Sequence, residues 1–214
     1  MFDFSLWDIA RNLLLALRWT VGLSLLAFIG GGCVGAALAV LRLAGGRWPR
    51  RLVMLYVQLF QGTPLLLQLF LVYFGLAMFG LQTTPMVAAA VCLTLYASAY
   101  LAEIWRGCLE AIDKGQWEAA SSLALSFGEQ LRHVIVPQAR RAAIAPTVGF
   151  MVQVIKATAL TSVIGFVEMT RAGQIITNAT FEPFAIYGAV ALLYFALCFP
   201  LSLYSRRLER HFRR

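Results

Sequence analysis

Charge is what this sequence has least of. Asp, Glu, Lys and Arg together make up 13% of 214 residues, against 60% hydrophobic, and mean hydropathy is +0.75. That balance lies outside the range of soluble domains, so the chain needs lipid as its solvent. Cysteine is sparse and unpaired: Cys33, Cys92, Cys108 and Cys198 stand far apart, which excludes a disulfide framework or a cysteine metal site and leaves them as small packing residues. The only histidines, His133 and His211, have no Cys, His or carboxylate at ligand spacing, so no metal site is expected. The glycine-rich phosphate loop that ends in Lys and Ser or Thr is missing, so any ATP that drives this protein is bound by a separate chain and no cofactor is expected here. Neither a short signal-type core nor a small-residue cleavage site follows the acidic start (Asp3, Asp8), so the mature chain is expected to begin near Met1.

Where charge is missing for 18 or more residues, a helix can cross the hydrocarbon layer. Arg18 and Arg42 bracket 23 uncharged residues, and Arg51 and Glu103 bracket 51. The second stretch is interrupted by Gly80, Gln82, Thr83, Thr84 and Pro85, which read as a turn. Residues 142–167 carry one charge, Lys156, and residues 183–205 carry none. The spacing predicts five spans, near 19–41, 52–79, 86–105, 142–167 and 183–205, in one membrane domain covering residues 1–214, with a loop at 106–141.

Cations test that count, because Lys and Arg collect on the cytoplasmic side. Five spans place the first loop, the third loop and the tail together, and these hold 14 of the 18 basic residues. The N-terminus is therefore expected outside and the C-terminus inside. Topology and anionic inner-leaflet lipid account for the net charge of +8, so nucleic acid is not an expected partner.

The loop at 106–141 is amphipathic: Leu109, Ile112, Leu123, Leu125, Phe127, Leu131, Val134 and Ile135 recur at roughly helical spacing. A surface helix can dock on a partner or lie in the lipid interface. Glu118, Ala119 and Ala120 favour docking, since paired alanines let another protein approach closely.

Here the chain resembles the permease subunits of bacterial ABC importers, in particular the polar amino-acid branch of the binding-protein-dependent inner membrane components. The family signature reads Glu-Ala-Ala, three residues, Gly, nine residues, Ile, two residues, Pro. Glu118, Ala119, Ala120, Val134 and Pro137 fit it, and Ala124 stands at the glycine position. Residues 102–107 and 115–117 around it, Gln61-Gly62-Thr63-Pro64-Leu65-Leu66, and Lys156-Ala157-Thr158-Ala159-Leu160 also look like that branch. The resemblance implies an all-α type I importer permease in the bacterial cytoplasmic (inner) membrane. It further implies coupling helices seated on an ABC ATPase, a second copy or a homologous permease, and an extracytoplasmic amino-acid-binding protein. An alanine held in the left-handed turn that the glycine eases costs about 1 to 2 kcal/mol, so the turn is expected at Ala124 or displaced toward Gly128.

Lys156 is costly within a span unless it faces water, a partner or a ligand. It either recognises the carboxylate common to amino acids or is a paired charge, with Glu103 as the partner. Gln153, Thr158, Thr161 and Ser162 extend a polar strip along the same helix, suited to lining a pathway or to bonding neighbouring helices. Gly62-Thr63-Pro64 falls near the membrane midplane, where Pro64 frees a carbonyl one turn earlier; Gln61 and Gln68 would share that lined face. Gly30, Gly31, Gly32 and Gly35 give a spacing for close helix contact.

The competing class is an ion-coupled secondary transporter of small polar solutes. Five spans do not divide into repeats, and no carboxylate sits well inside a span. A membrane enzyme would need a nucleophile, metal or acid/base set, and none is present in the sequence.

Overall fold

The computed structural model describes residues 5–212. Met1, Asp3, Arg213 and Arg214, which enter the expected topology, lie outside the described residues. Every regular element within them is helical: α1 (Leu6–Ala44), α2 (Arg47–Gly62), α3 (Leu65–Met78), α4 (Pro85–Glu110), α5 (Lys114–Ser122), α6 (Phe127–Ile164), α7 (Met169–Thr180) and α8 (Pro183–Phe212). Four of them, α1, α4, α6 and α8, are long and apolar enough to cross a membrane, and α2 with α3, bent by 105°, passes the same test only as a pair, which makes five if the pair is one broken span.

The first helix starts earlier than the charge gap predicts. The hydroxyl of Ser5 accepts from the backbone N–H of Asp8 at 3.2 Å, and the Asp8 carboxylate accepts from the Ser5 N–H at 3.3 Å, a reciprocal cap that nucleates the helix thirteen residues before position 19. The added turns bury Leu13 and Ala16 against Met169, Ala172 and Ile176 of α7 and Ile186 and Val190 of α8. A charge gap marks what lipid surrounds, and this extension is held by protein instead. The turn at 80–85 forms as expected, with the Thr84 hydroxyl capping α4 at Val87 N–H and Pro85 opening the helix.

Packing of α1 on α4 requires the glycines. A Cβ on Gly31 would lie 2.5 Å from that of Ala97, and one on Gly35 would lie 2.9 Å from the Ser98 carbonyl. The close approach buries Leu23 and Ala27 with Leu93, Ala97 and Leu101. At the end of this pair, Glu103 is bonded by Arg42 at 2.6 Å and by Arg106, which also meets Glu110. Glu103 is therefore not the partner of Lys156: the α1–α4 contact brings Arg42 to it first.

The loop expected at 106–141 is shorter than that. It contains α5 and a turn, and then α6 begins at Phe127 and runs without interruption toward the apolar stretch, through a π-helical turn at Gln130–Ile135.

Candidate functional site: the broken span and the coupling segment

Pro64 has no N–H to offer the carbonyl of Phe60, and the helix breaks here. The chain turns at Thr63, whose extended backbone separates α2 from α3. The side-chain amide of Gln68 donates to the freed Phe60 carbonyl at 2.9 Å, to the Thr63 carbonyl at 3.1 Å and to the Thr63 hydroxyl at 2.9 Å, while that hydroxyl donates to Leu59 O at 2.7 Å. Gln68 is buried, and its own carbonyl oxygen is buried without a partner. The 105° bend therefore overturns the expectation that Gln61 and Gln68 share one face: Gln61 is exposed with Gly62, Thr63 and Pro64, while Gln68 is the staple inside the corner.

The polar strip of α6 also divides. Gln153 and Lys156, three residues apart and hence on one face, are both exposed. Among the described residues no carboxylate lies within salt-bridge distance of Lys156. Thr158 and Thr161 are fully buried and turn their hydroxyls back onto the carbonyls of Ile155 (2.7 Å) and Thr158 (2.6 Å). Half-buried Ser162 does the same to Ala159 at 2.6 Å. These hydroxyls satisfy the tight 3-10 segment Thr158–Ile164 that ends α6 at Gly165, whose left-handed φ of 89° suits a residue without a Cβ.

Glu168, which the sequence reading passed over, is the one carboxylate fully buried among the described residues. It caps α7 by accepting from the Arg171 N–H at 2.9 Å, and it accepts from the hydroxyl of Tyr194 on α8 at 2.8 Å. Thr20 of α1 accepts from the Met169 N–H at 3.1 Å, so three helices meet at this point.

In the segment expected to couple to an ATPase, Glu118 and Ala119 are exposed on α5 while Ala120 is buried against the fold. The helix ends in a pair of crossed bonds, Leu125 N–H to Ala120 O at 3.4 Å and Ala124 N–H to Ser121 O at 2.9 Å. That closure places Ala124 at φ 56°, so the left-handed turn stays at the signature's glycine position and is not displaced to Gly128. The crossed bonds fix the turn from both sides, and Ala124 accepts the strain. Ser126 then starts α6: the Glu129 carboxylate accepts from its backbone N–H at 2.8 Å and its hydroxyl at 2.7 Å, and these bonds, the hydroxyl's first, hold Glu129 below the usual carboxylate range. Trp117 stacks on Phe127 at 6.1 Å, and Leu131 and Ile135 bury themselves with Leu109, with half-buried Val134 beside them and Pro137 exposed on the next turn. Leu123, at the tip, stays 74% exposed.

Four long apolar helices and a bent apolar pair, with a short exposed helix beside them, define an all-helical integral membrane protein. Residues 31–214 match the model of the family described as binding-protein-dependent transport system inner membrane component. The chain belongs to that family: it is a multi-pass, non-catalytic permease subunit of an ABC importer, whose ATPase and binding protein are other chains. It is 36% identical over 212 residues to the glutamine transport system permease protein GlnP of Escherichia coli strain K12, covering 98% of this chain and 97% of that one. It is 34% identical to the probable amino-acid ABC transporter permease protein YckA of Bacillus subtilis strain 168, over 91% of this chain and 86% of that one. A crystal structure of an amino acid ABC transporter with histidines superposes with a TM-score of 0.90 at 32% identity, over 99% of both chains. A chain of the MetNI methionine ABC transporter in an inward-facing conformation shares the fold, with a TM-score of 0.81 at 19% identity over the whole of both chains.

Proposed function

We propose that this subunit passes amino acids across the cytoplasmic membrane as one half of a permease dimer, formed with a second copy or a homologous chain. The N-terminus is outside and the C-terminus is cytoplasmic. The observation that carries the reading is the exposed pair Gln153 and Lys156 on a membrane-crossing helix, an amide and an ammonium with no carboxylate at salt-bridge distance among the described residues. Lipid would penalise both groups, and a water-filled path that admits carboxylates would not. Gln61, Gly62, Thr63 and Pro64 line the same path at the broken span. Thr158, Thr161, Ser162 and Gln68 support its walls from within.

Coupling runs through α5 and the turn. Glu118 and Ala119 dock on the ATPase, Ala120 and Val134 hold the docking helix to α6, Pro137 stands exposed on the next turn of α6, and Ala124 sets the angle between the two helices. ATP is bound by the partner ATPase alone, and an extracytoplasmic amino-acid-binding protein delivers substrate. Proteoliposomes containing the permease, its ATPase and its binding protein test this: uptake of a labelled amino acid should require all three and ATP, and should persist when ion gradients are collapsed. Ala119→Trp should abolish uptake while leaving the permease folded. ATP-independent uptake driven by an ion gradient would sink the reading.

A further inference from the structure

Between α6 and α8 lies a cavity of about 470 Å³ that takes no part in the path just proposed. Arg141 of α6 and Glu209 of α8 both line it. Among the described residues neither belongs to a salt bridge, so an exposed cation and an exposed anion border one space without direct contact. Glu209 is also the single acid after Glu182, set among Arg206, Arg207 and Arg210.

The remaining lining supplies acceptors. Pro146 has no N–H for the carbonyl of Ala142 four residues earlier, so that oxygen lacks its helical donor. The hydroxyl of Ser205 donates its hydrogen to the Ala145 carbonyl at 2.8 Å, which leaves its lone pairs to accept from a ligand. Gly149 keeps the two helices close here, since a Cβ would stand 3.2 Å from the Ser205 oxygen. One guanidinium donor therefore accompanies three kinds of acceptor, a carboxylate, a carbonyl and a hydroxyl.

We propose that this cavity binds a zwitterion that joins a primary ammonium to an anionic oxygen group, the anion on Arg141 and the ammonium on Glu209, Ala142 O and Ser205. Two sources present that chemistry at this end of the bundle: the headgroup of phosphatidylethanolamine, or a free amino acid on the cytoplasmic side. In the orientation proposed above, both reach the cavity from the inner leaflet or the cytosol. The site lies outside the translocation path, and its test reads binding and not uptake, so the two readings stand or fall separately.

The assembled permease–ATPase complex is placed in nanodiscs of phosphatidylglycerol mixed with either phosphatidylethanolamine or phosphatidylcholine, and retained lipid is counted by native mass spectrometry after release. Choline carries the same charge without N–H donors, so the site should retain phosphatidylethanolamine at least fivefold better. Glu209→Gln, an isosteric change at an exposed position, should remove that preference while phosphatidylglycerol retention stays constant. In phosphatidylcholine discs, L-glutamine is then titrated against the thermal midpoint of the complex. A saturable rise that Glu209→Gln abolishes assigns the site to free amino acids, and ethanolamine-lipid preference without such a rise assigns it to lipid. Equal retention of the two lipids together with no response to L-glutamine overturns the proposal, as does any preference that survives Glu209→Gln.

Discussion

The side-chain amide of Gln68 occupies the carbonyl of Phe60, the one that Pro64 leaves without a helical donor. A break that would otherwise expose backbone to lipid is thus closed by a residue four positions beyond the proline, and the corner becomes a fixed element instead of a hinge.

Replacing Gln68 with Leu should therefore act on the fold and not on substrate contact. The Phe60 and Thr63 carbonyls lose their donor in a buried corner, at a cost of about 1 to 3 kcal/mol. The thermal midpoint of the detergent-purified protein should drop, and uptake should fall in proportion to the folded fraction. A variant with an unchanged midpoint but no uptake would show Gln68 to be a pathway residue.

Ala124→Gly should stabilise the coupling segment by about 1 kcal/mol, because glycine takes a positive φ without the Cβ clash. Ala124→Val should do the reverse and by more, as a branched side chain fits that region worst. Limited proteolysis at the exposed Leu123 tip reads both, with slower cutting for Gly and faster for Val.

The cap at the start of α6 gives a pH dependence whose sign is fixed. Glu129 titrates below its unfolded value because the Ser126 hydroxyl and N–H stabilise its charge, so the stability it contributes is present above the unfolded pKa and is lost as pH falls through the lower folded one. The hydrogen-exchange protection factor of the Ser126 amide, which corrects for the intrinsic pH dependence of exchange, should hold through neutral pH and fall only on acidification past the ordinary carboxylate range. Glu129→Gln should make the exchange faster at neutral pH and nearly independent of this transition.

Lys156→Met keeps an unbranched apolar stem and removes the ammonium. If a charge-assisted bond to the substrate carboxylate disappears with it, about 1.5 to 3 kcal/mol is lost and uptake at low substrate should fall at least tenfold. Binding-protein affinity and ATPase co-purification should not change. Normal uptake well below saturation would remove Lys156 from the path.

Sequence and structure agree where the information is local and part where it is tertiary. Gaps between charges locate the spans because lipid excludes charge everywhere, and Pro64 and Pro85 announce breaks through their own chemistry. The identity of what fills a break is different: nothing near Pro64 says that Gln68 folds back, and a helical wheel drawn through the proline puts Gln61 and Gln68 together when the bend separates them. Charge alone offers Glu103 as one possible partner of Lys156, whereas its cations are Arg106 one turn on and Arg42, 61 residues away, brought there by glycines that let α1 approach. Glu168 was hidden for the same reason, since Tyr194, a partner that makes a buried carboxylate tolerable, lies 26 residues along the chain.

The glycine contact at Gly31 and Gly35 and the charged cluster at Arg42, Glu103, Arg106 and Glu110 clamp α1 to α4 at two levels. Two helices fastened at separate heights can neither slide nor splay without breaking one clamp, so they form a rigid unit. α6 joins the same unit, with Phe150 stacked on Tyr100 at 5.3 Å and the Trp105 indole N–H donating to the Thr147 hydroxyl at 2.8 Å, so in the dimer proposed above each subunit would move as one body against its partner. A push delivered at α5 would then tilt the whole unit, and the exposed ammonium of Lys156 would travel with it.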